Sequence, residues 1–222
     1  MRKHALVIGL GQFGMSLARS LTDRGVEVFA VDRRADLVEE AADFVAEAVV
    51  FDASDEDALA RAAPAKRDVC VVAIGNESRE GSILATAQLR QMGAPYLVAR
   101  ATDDLHERIL KLVGAHEVIN PERAFGERLA TRLAFAGVLE EAPLGEDLAI
   151  TEIRAPASMV GRTLLDLRLP RRFNVSVVAV RRQQDGRGKL LVPPRPEEPL
   201  QAEDILVVVA PPGAVTDLLE RL

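Results

Sequence analysis

The segment that most constrains this chain is its first 32 residues, where the apolar run His4-Ala5-Leu6-Val7-Ile8 meets Gly9-Leu10-Gly11-Gln12-Phe13-Gly14 and Val26-Glu27-Val28-Phe29-Ala30-Val31 ends on Asp32. That order of strand, glycine loop, helix, strand and acid is a βαβ unit of the nucleotide-binding kind. Gly9 and Gly11 let the backbone turn sharply and leave room for phosphates, and Gly14 lets the new helix lie close to the strand. The helix N-terminus supplies free N–H groups and a positive dipole end to an anion. Asp32, 18 residues past Gly14, stands where a carboxylate accepts hydrogen bonds from a ribose diol. A glycine-rich strand-to-helix turn with a solvated Asp32 is the plain alternative.

Composition narrows the classes of function. A chain of 222 residues is long enough for one full core and a second, smaller one. With 48% hydrophobic and 28% charged residues it reads as ordinary globular protein. No window offers the ~20 uninterrupted apolar residues of a membrane span. Met1-Arg2-Lys3 leads into an apolar run that stops at the glycines without a small-residue cleavage site, so it reads as a first strand and not as a signal peptide. Cys70, the single cysteine, sits in an apolar strand as a small hydrophobe, which fits a reducing cytoplasm. A net charge of −6, 4% aromatics and no tryptophan disfavour a nucleic-acid partner.

Along the chain, apolar runs near 4–9, 26–31, 47–51, 69–74, 95–100 and 116–119 alternate with helical spacing over Gln12–Arg24, Ala35–Ala42, Asp55–Ala62, Glu77–Met92 and Asp103–Val113. The fold class this predicts is α/β: a Rossmann-type doubly wound parallel sheet over residues 1–120. A crossover helix and linker follow over 121–141, with the helix running from Pro121 to about Glu140. It carries more apolar surface than the end of a finished sheet needs, which points to packing against another subunit. Ala142–Asp147 reads as a linker opening a small α+β regulatory domain over 142–222. There a mixed sheet is expected from Leu148–Arg154, Asn174–Arg181, Lys189–Val192 and Asp204–Ala210, with short helices near Leu164–Leu167 and Val215–Leu222. Asp185-Gly186-Arg187-Gly188 reads as a turn, and the four prolines of Pro193–Pro199 as an extended connection.

Ligands of open α/β sheets bind at the carboxyl ends of the strands. Phe51-Asp52-Ala53-Ser54 closes the third strand and would flank adenine or its ribose, with a helix N-cap at Asp52 or Ser54 as the alternative. Ile74-Gly75-Asn76-Glu77 closes the fourth, where Gly75 permits close approach and Asn76 can contact ribose or phosphate or else cap the next helix. Arg100 closes the fifth and brings a permanent cation to the crevice, unless it is a surface ion pair. Glu122 could reach a metal held by nucleotide phosphates, or simply be a first-turn acid favoured by the helix dipole. His4, His106 and His116 lie at a strand start, in a helix and at a strand start. The chain also has no GxSxG elbow, no Walker lysine and no HExxH. The residues therefore point to a module that binds a nucleotide without consuming it. An NAD(H)-binding oxidoreductase and a redox-sensing regulator are the rival readings.

These motifs resemble, in order along the chain, the cytosolic regulator-of-conductance-of-potassium (RCK) subunits of the Ktr and Trk potassium uptake systems. The resemblance rests on Gly9–Gly14, Val31-Asp32, Val71–Gly75, Gly114–Glu122, Leu164-Leu165-Asp166-Leu167 and Glu203–Val209. The single-unit length is similar to the Ktr type. The resemblance implies a non-catalytic, cytoplasmic subunit, peripheral to the inner face of the membrane. It would form a homo-octameric ring of dimers under a membrane-embedded potassium-translocating subunit (KtrB/TrkH-like). ATP and ADP would compete for the crevice, with Mg2+ or another divalent cation at Glu122. By position, Gly11, Gln12, Phe13, Asp32, Asp52, Asn76 and Arg100 line the nucleotide site, and Gly9, Gly14, Arg33, Ala53 and Gly75 complete it. Gln12 departs from the arginine that Ktr-type loops often carry and is similar to Trk-type loops linked to NAD(H), so ATP/ADP and NAD(H) both stay open. A cyclic di-AMP site in the C-terminal domain is also implied for some members, with Arg168, Arg171 and Arg172 near its position here.

Overall fold

Because side chains alternate across a strand, β1 (His4–Ile8) sends Leu6 and Ile8 to one face of its sheet and Ala5 and Val7 to the other, and all four are buried. Both faces must then be covered, which is why the run is apolar throughout. A computed structural model describes residues 2–145, 147–184 and 187–221 of the chain. It divides into two units, Met1–Pro121 and Glu122–Leu222.

In the first unit, β1 is joined by β2 (Glu27–Asp32), β3 (Glu47–Val50), β4 (Val69–Val72), β5 (Leu97–Arg100) and β6 (Glu117–Ile119) in one parallel sheet of order β3-β2-β1-β4-β5-β6. This is the doubly wound order, with the reversal between β1 and β4. Ala18 of α1 (Gln12–Asp23) and Val38 and Ala41 of α2 (Ala35–Ala42) pack with Ala5, Val7, Val28 and Ala30 on one face. On the other, Leu59 of α3 (Glu56–Arg61), Ala85 and Leu89 of α4 (Arg79–Gln91) and Leu110 of α5 (Asp104–Leu112) pack with Leu6, Ile8, Val31, Val72 and Leu97. Six strands fall where apolar run length placed them.

Two glycines set the geometry at the start of α1. Gly9 has φ +92°, and a Cβ on it would lie 2.9 Å from the Ile74 nitrogen, so the left-handed turn and the close approach of the chain after β4 both require glycine. A Cβ on Gly14 would lie 1.8 Å from the Gly9 carbonyl oxygen, an overlap no rotamer relieves.

In the second unit, α6 (Pro121–Ala134) stops short of the expected Glu140. Gly137, at φ +102°, turns the chain into a strand, β7 (Val138–Pro143). The expected linker therefore begins inside a strand, and the small domain's sheet starts at Val138 instead of after residue 142; Glu146 lies outside the described residues. β7 pairs with β8 (Ala149–Arg154), and β9 (Ser176–Gln184), β10 (Arg187–Leu191) and β11 (Ile205–Ala210) complete the order β10-β9-β11-β8-β7. Every pairing is antiparallel, which corrects the expected mixed sheet. The Asp185-Gly186 part of the expected turn lies outside the described residues.

Ile153, Val180, Leu206 and Val208 bury one face of this sheet with Leu167 of α7 (Leu164–Leu167), Leu169 and Phe173 of α8 (Leu169–Phe173), and Val215 and Leu218 of α9 (Ala214–Arg221). Asp204 is fully buried just before β11, where its carboxylate accepts from Arg182 Nη2 at 2.7 Å and from the Gln201 N–H at 2.8 Å. Arg182 also pairs with Glu198 and donates to the Pro199 carbonyl, tying the proline-rich connection to the sheet.

Gly14→Ala will therefore lower thermal stability by about 3 kcal/mol or more, the cost of an overlap that must be absorbed by backbone movement. A melting curve unchanged from the parent would contradict this packing. Arg182→Met leaves Asp204 buried without its cation and will cost about 3 kcal/mol. Hydrogen exchange should report the loss in β8, β9 and β11 while β1 and β4 keep their protection.

Candidate functional site

The carboxyl ends of β1 to β4 enclose a crevice of about 290 Å³ at the point where the strand order reverses. Gly9, Gly11, Asp32, Arg33, Asp52 and Ala53 wall it, as do Arg34, Ser54, Glu77, Ser78 and Gly81, over an apolar floor that includes Ile8, Val31, Phe51 and Ile74. Of the expected residues, six are thus brought together. Gln12, Phe13, Gly14, Gly75, Asn76 and Arg100 are not among the walls.

Each of those six has a position that explains this. Gln12 opens α1 on the other side of the loop, in a shallow groove with Met15, Ser16, Arg19 and Leu37. Gly14 serves the packing against Gly9. The Phe13 ring lies under Arg100, with the guanidinium carbon 5.6 Å from the ring centroid, a cation–π arrangement. Arg100 in turn stands beside Gly75 and Glu77: its Nη1 and Glu77 Oε2 lie 3.0 and 2.8 Å from where a Gly75 Cβ would be. Asn76 starts a single 3-10 turn, Asn76–Ser78. Glu122 belongs to the second unit, in the first turn of α6. Among the described residues no three His, Cys, Asp or Glu side chains gather as a metal cluster.

Asp32 has a structural task that its motif position did not reveal. Its Oδ2 accepts the Leu10 N–H at 2.6 Å and its Oδ1 the Arg34 N–H at 2.9 Å, so the end of β2 clamps the glycine loop. An ionised carboxylate offers about four lone-pair sites, which leaves acceptor capacity for ribose hydroxyls.

Neither Asp52 nor Ser54 is the helix cap. Asp55 caps α3 by accepting from Ala58 N–H, while Asp52 folds back to accept the Ser54 N–H and hydroxyl at 2.9 and 2.7 Å. Those two bonds, the N–H first, hold the Asp52 carboxyl below the usual carboxylate range against slight burial, and Arg33 adds to them. Likewise Ser78, not Asn76, caps α4, accepting from Gly81 N–H at 3.2 Å.

Glu77 is the residue that motif reading passed over, although the strand-end rule reaches it two positions past Gly75. Partial burial opposes its charge, but the N–H groups of Glu77 and Gly75 and the charges of Arg100 and Arg33 outweigh it and hold the carboxyl below its usual range. The crevice therefore presents ionised acids and arginines side by side. None of the three histidines is among its walls. His106 is buried in α5, with its Nδ1 near the Thr102 hydroxyl and N–H.

The walls fit an anionic nucleotide. A Cβ on Gly11 would meet nothing within 4 Å beyond its own chain neighbours, so packing does not require glycine there and the space beside it is open. α1 begins there with no side-chain cap and no acid in its first turn. Among the described residues no helix is long and apolar enough to cross a membrane.

Residues 5–121 match the TrkA-N domain and residues 148–222 the TrkA-C domain. The Ktr system potassium uptake protein C of Bacillus subtilis (strain 168) is 36% identical over 218 residues, which span 98% of this chain and 95% of that protein. The Ktr system potassium uptake protein A of Vibrio alginolyticus is 34% identical over 220 residues, spanning 99% and 98%. Among solved structures, the GsuK channel superposes with a TM-score of 0.68 at 21% identity, and its NAD-bound form with 0.67 at 20%. Each superposition covers 98% of this chain but 39% of the GsuK chain, so this chain spans well under half of that channel. With both domains matched and relatives of this identity along its whole length, the chain belongs to the TrkA-N/TrkA-C family that includes the Ktr system potassium uptake proteins.

Proposed function

We propose that this chain is the cytoplasmic, non-catalytic regulatory subunit of a potassium uptake system and that a nucleotide in its crevice sets the gating state. The observation that carries the reading is the open space above Gly11 at the uncapped start of α1, between the ends of β1 and β4, in a chain whose full-length relatives are potassium uptake proteins. Phosphates would lie over Gly9 and Gly11. The ribose would meet Asp32, and the adenine would rest near Phe51 and Ala53. Arg33 and Arg34 offer charge at the same edge.

ATP and ADP, or NAD(H), would act by binding one shape of the assembly better than another, since a ligand shifts an equilibrium only by its differential affinity. A divalent cation would accompany ATP, with Glu122 as the candidate acid. The partner is a membrane-embedded potassium-translocating subunit, and the assembly is a homo-octameric ring of dimers. α6 supports the assembly: among its described residues none is buried, and Phe125 and Leu133 are 59% and 75% exposed. Apolar side chains of that exposure along one helix suit a subunit contact.

Gly11→Ala should melt within about 4 °C of the parent, because nothing in the protein opposes the added methyl, yet bind ATP, ADP or NADH about tenfold more weakly. Asp32→Ala will weaken the same ligands by a similar factor or more, through the lost acceptor and the released loop. Calorimetric titration reads both, and parental affinity in the two variants would remove this crevice as the site. Native mass spectrometry with the three nucleotides offered together reads the assembly: an octamer is expected, and Phe125→Glu with Leu133→Glu should reduce it to smaller species. An undiminished octamer in that double variant would move the contact off α6.

A further inference from the structure

One wall of the crevice carries an acid. β4 passes through Gly75 into the Asn76–Ser78 turn, and Glu77 lies on the crevice wall together with Gly9, Gly11 and Arg33. The chain it hangs from is pressed against the loop, as the 2.9 Å from a Gly9 Cβ to the Ile74 nitrogen shows. Its carboxylate is held in place. Oε1 accepts the Gly75 N–H at 3.1 Å, and Oε2 shares with Arg100 Nη1 the space beside Gly75 that any side chain there would fill. Arg33 acts on the same carboxylate from the end of β2, and on Asp52 as well.

Two of the arginines that a phosphate would seek, Arg100 and Arg33, therefore already act on protein carboxylates. A phosphate that arrives over Gly9 and Gly11 must add its charge beside Glu77, and the cost grows with the number of phosphate charges. We propose that Glu77 determines the charge selectivity of the crevice: set among Arg33, Arg100 and the glycine loop, its carboxylate disfavours a metal-free nucleoside triphosphate relative to a dinucleotide, whose two bridging phosphates carry less charge. The proposal rests on reading the crevice as a nucleotide site. It also accounts for Gly75, whose missing side chain gives the carboxylate and the guanidinium room to converge.

The test is calorimetric titration of the full chain with ATP and with NADH in the presence of EDTA, for the parent, Glu77→Gln and Glu77→Asp. Glutamine keeps the size and an oxygen for the Gly75 N–H, removes the charge, and places an NH2 donor where Oε2 stands beside Arg100. Glu77→Gln should bind metal-free ATP about fivefold or more tightly than the parent, with NADH changed by less than about twofold. Glu77→Asp, which keeps the charge, should retain the parental ratio of the two affinities. Unchanged or weaker ATP binding by Glu77→Gln, or an equal shift for both ligands, overturns the assignment. So does a ratio altered alike by Asp and Gln, which would tie the effect to the Gly75 contact. A parent chain that binds neither ligand removes the nucleotide site itself, so the two failures are distinct.

Discussion

Everything at the crevice depends on how closely α1 approaches β1. The Gly9 carbonyl occupies the place where a Gly14 side chain would stand, and the Ile74 nitrogen the place where a Gly9 side chain would stand. These two contacts bring the start of α1, the end of β1 and the end of β4 to one point. Asp32 then locks the loop by accepting the Leu10 N–H, so the end of β2 is fastened to the same point. Three strand ends and the start of one helix are drawn together by two absent methyl groups and one carboxylate, and the opening beside them is the site. The apolar strands beneath are interchangeable in detail, because any close-packed aliphatic set would support the sheet; the glycine contacts are not.

The electrostatics of the site follow from the same convergence. Strand ends that meet bring their terminal side chains with them: Asp32, Arg33 and Arg34 from β2, Asp52 from β3, Glu77 and Arg100 from the neighbourhood of β4 and β5. Acids and bases are interleaved, and hydrogen bonds from Ser54 and Gly75 keep Asp52 and Glu77 ionised. A pocket built only to attract phosphate would carry cations alone. One in which Arg33 and Arg100 already act on protein carboxylates would exchange a carboxylate for a ligand phosphate at those two, and that exchange would depend on the charge of the ligand.

The sequence disclosed elements wherever one physical signal dominated. Runs such as Ala5–Ile8 and Cys70–Val72, buried on both faces, announce parallel strands by continuous apolar character. The short helix expected near Leu164–Leu167 is there, and Thr163 and Asp166 form a capping box around it. β7 was not legible. Its residues Val138–Pro143 are set off from the helix by the single Gly137, carry two glutamates, and pair with β8. α8 hid behind Pro170 and between two residues at positive φ, Arg168 and Asn174, which few sequences advertise without glycine. The antiparallel pairing of the small sheet is set by β9 and β11 meeting across a long connection, a contact that no local pattern encodes. In the site, the motif identified Gly9, Gly11 and Asp32. It could not show that the Gln12 side chain leaves the crevice on the outer side of the loop, or that the caps belong to Asp55 and Ser78, since several Asp and Ser residues near each helix start were equally plausible from sequence.

All the walls of the crevice come from the first unit, Met1–Pro121. A ligand touching only those walls changes an assembly solely through parts of that unit whose position differs between occupied and empty states. The centre of the sheet is a poor candidate, because β1, β2 and β4 are buried on both faces and packed cores resist small displacements. The segment from Gly75 to Ser78 is better suited. It is one short 3-10 turn, and its Glu77 carboxylate holds the Gly75 N–H and neighbours Arg100, so a phosphate competing for Arg100 would pull directly on it. α4 begins at the next residue, capped by Ser78, so a shift of the turn reaches the start of a 13-residue helix whose Leu84 is exposed. Charge exchange at the arginines thus has a mechanical outlet that burial of adenine or ribose lacks, and ligands with the same adenosine but different phosphate charge need not move the protein alike.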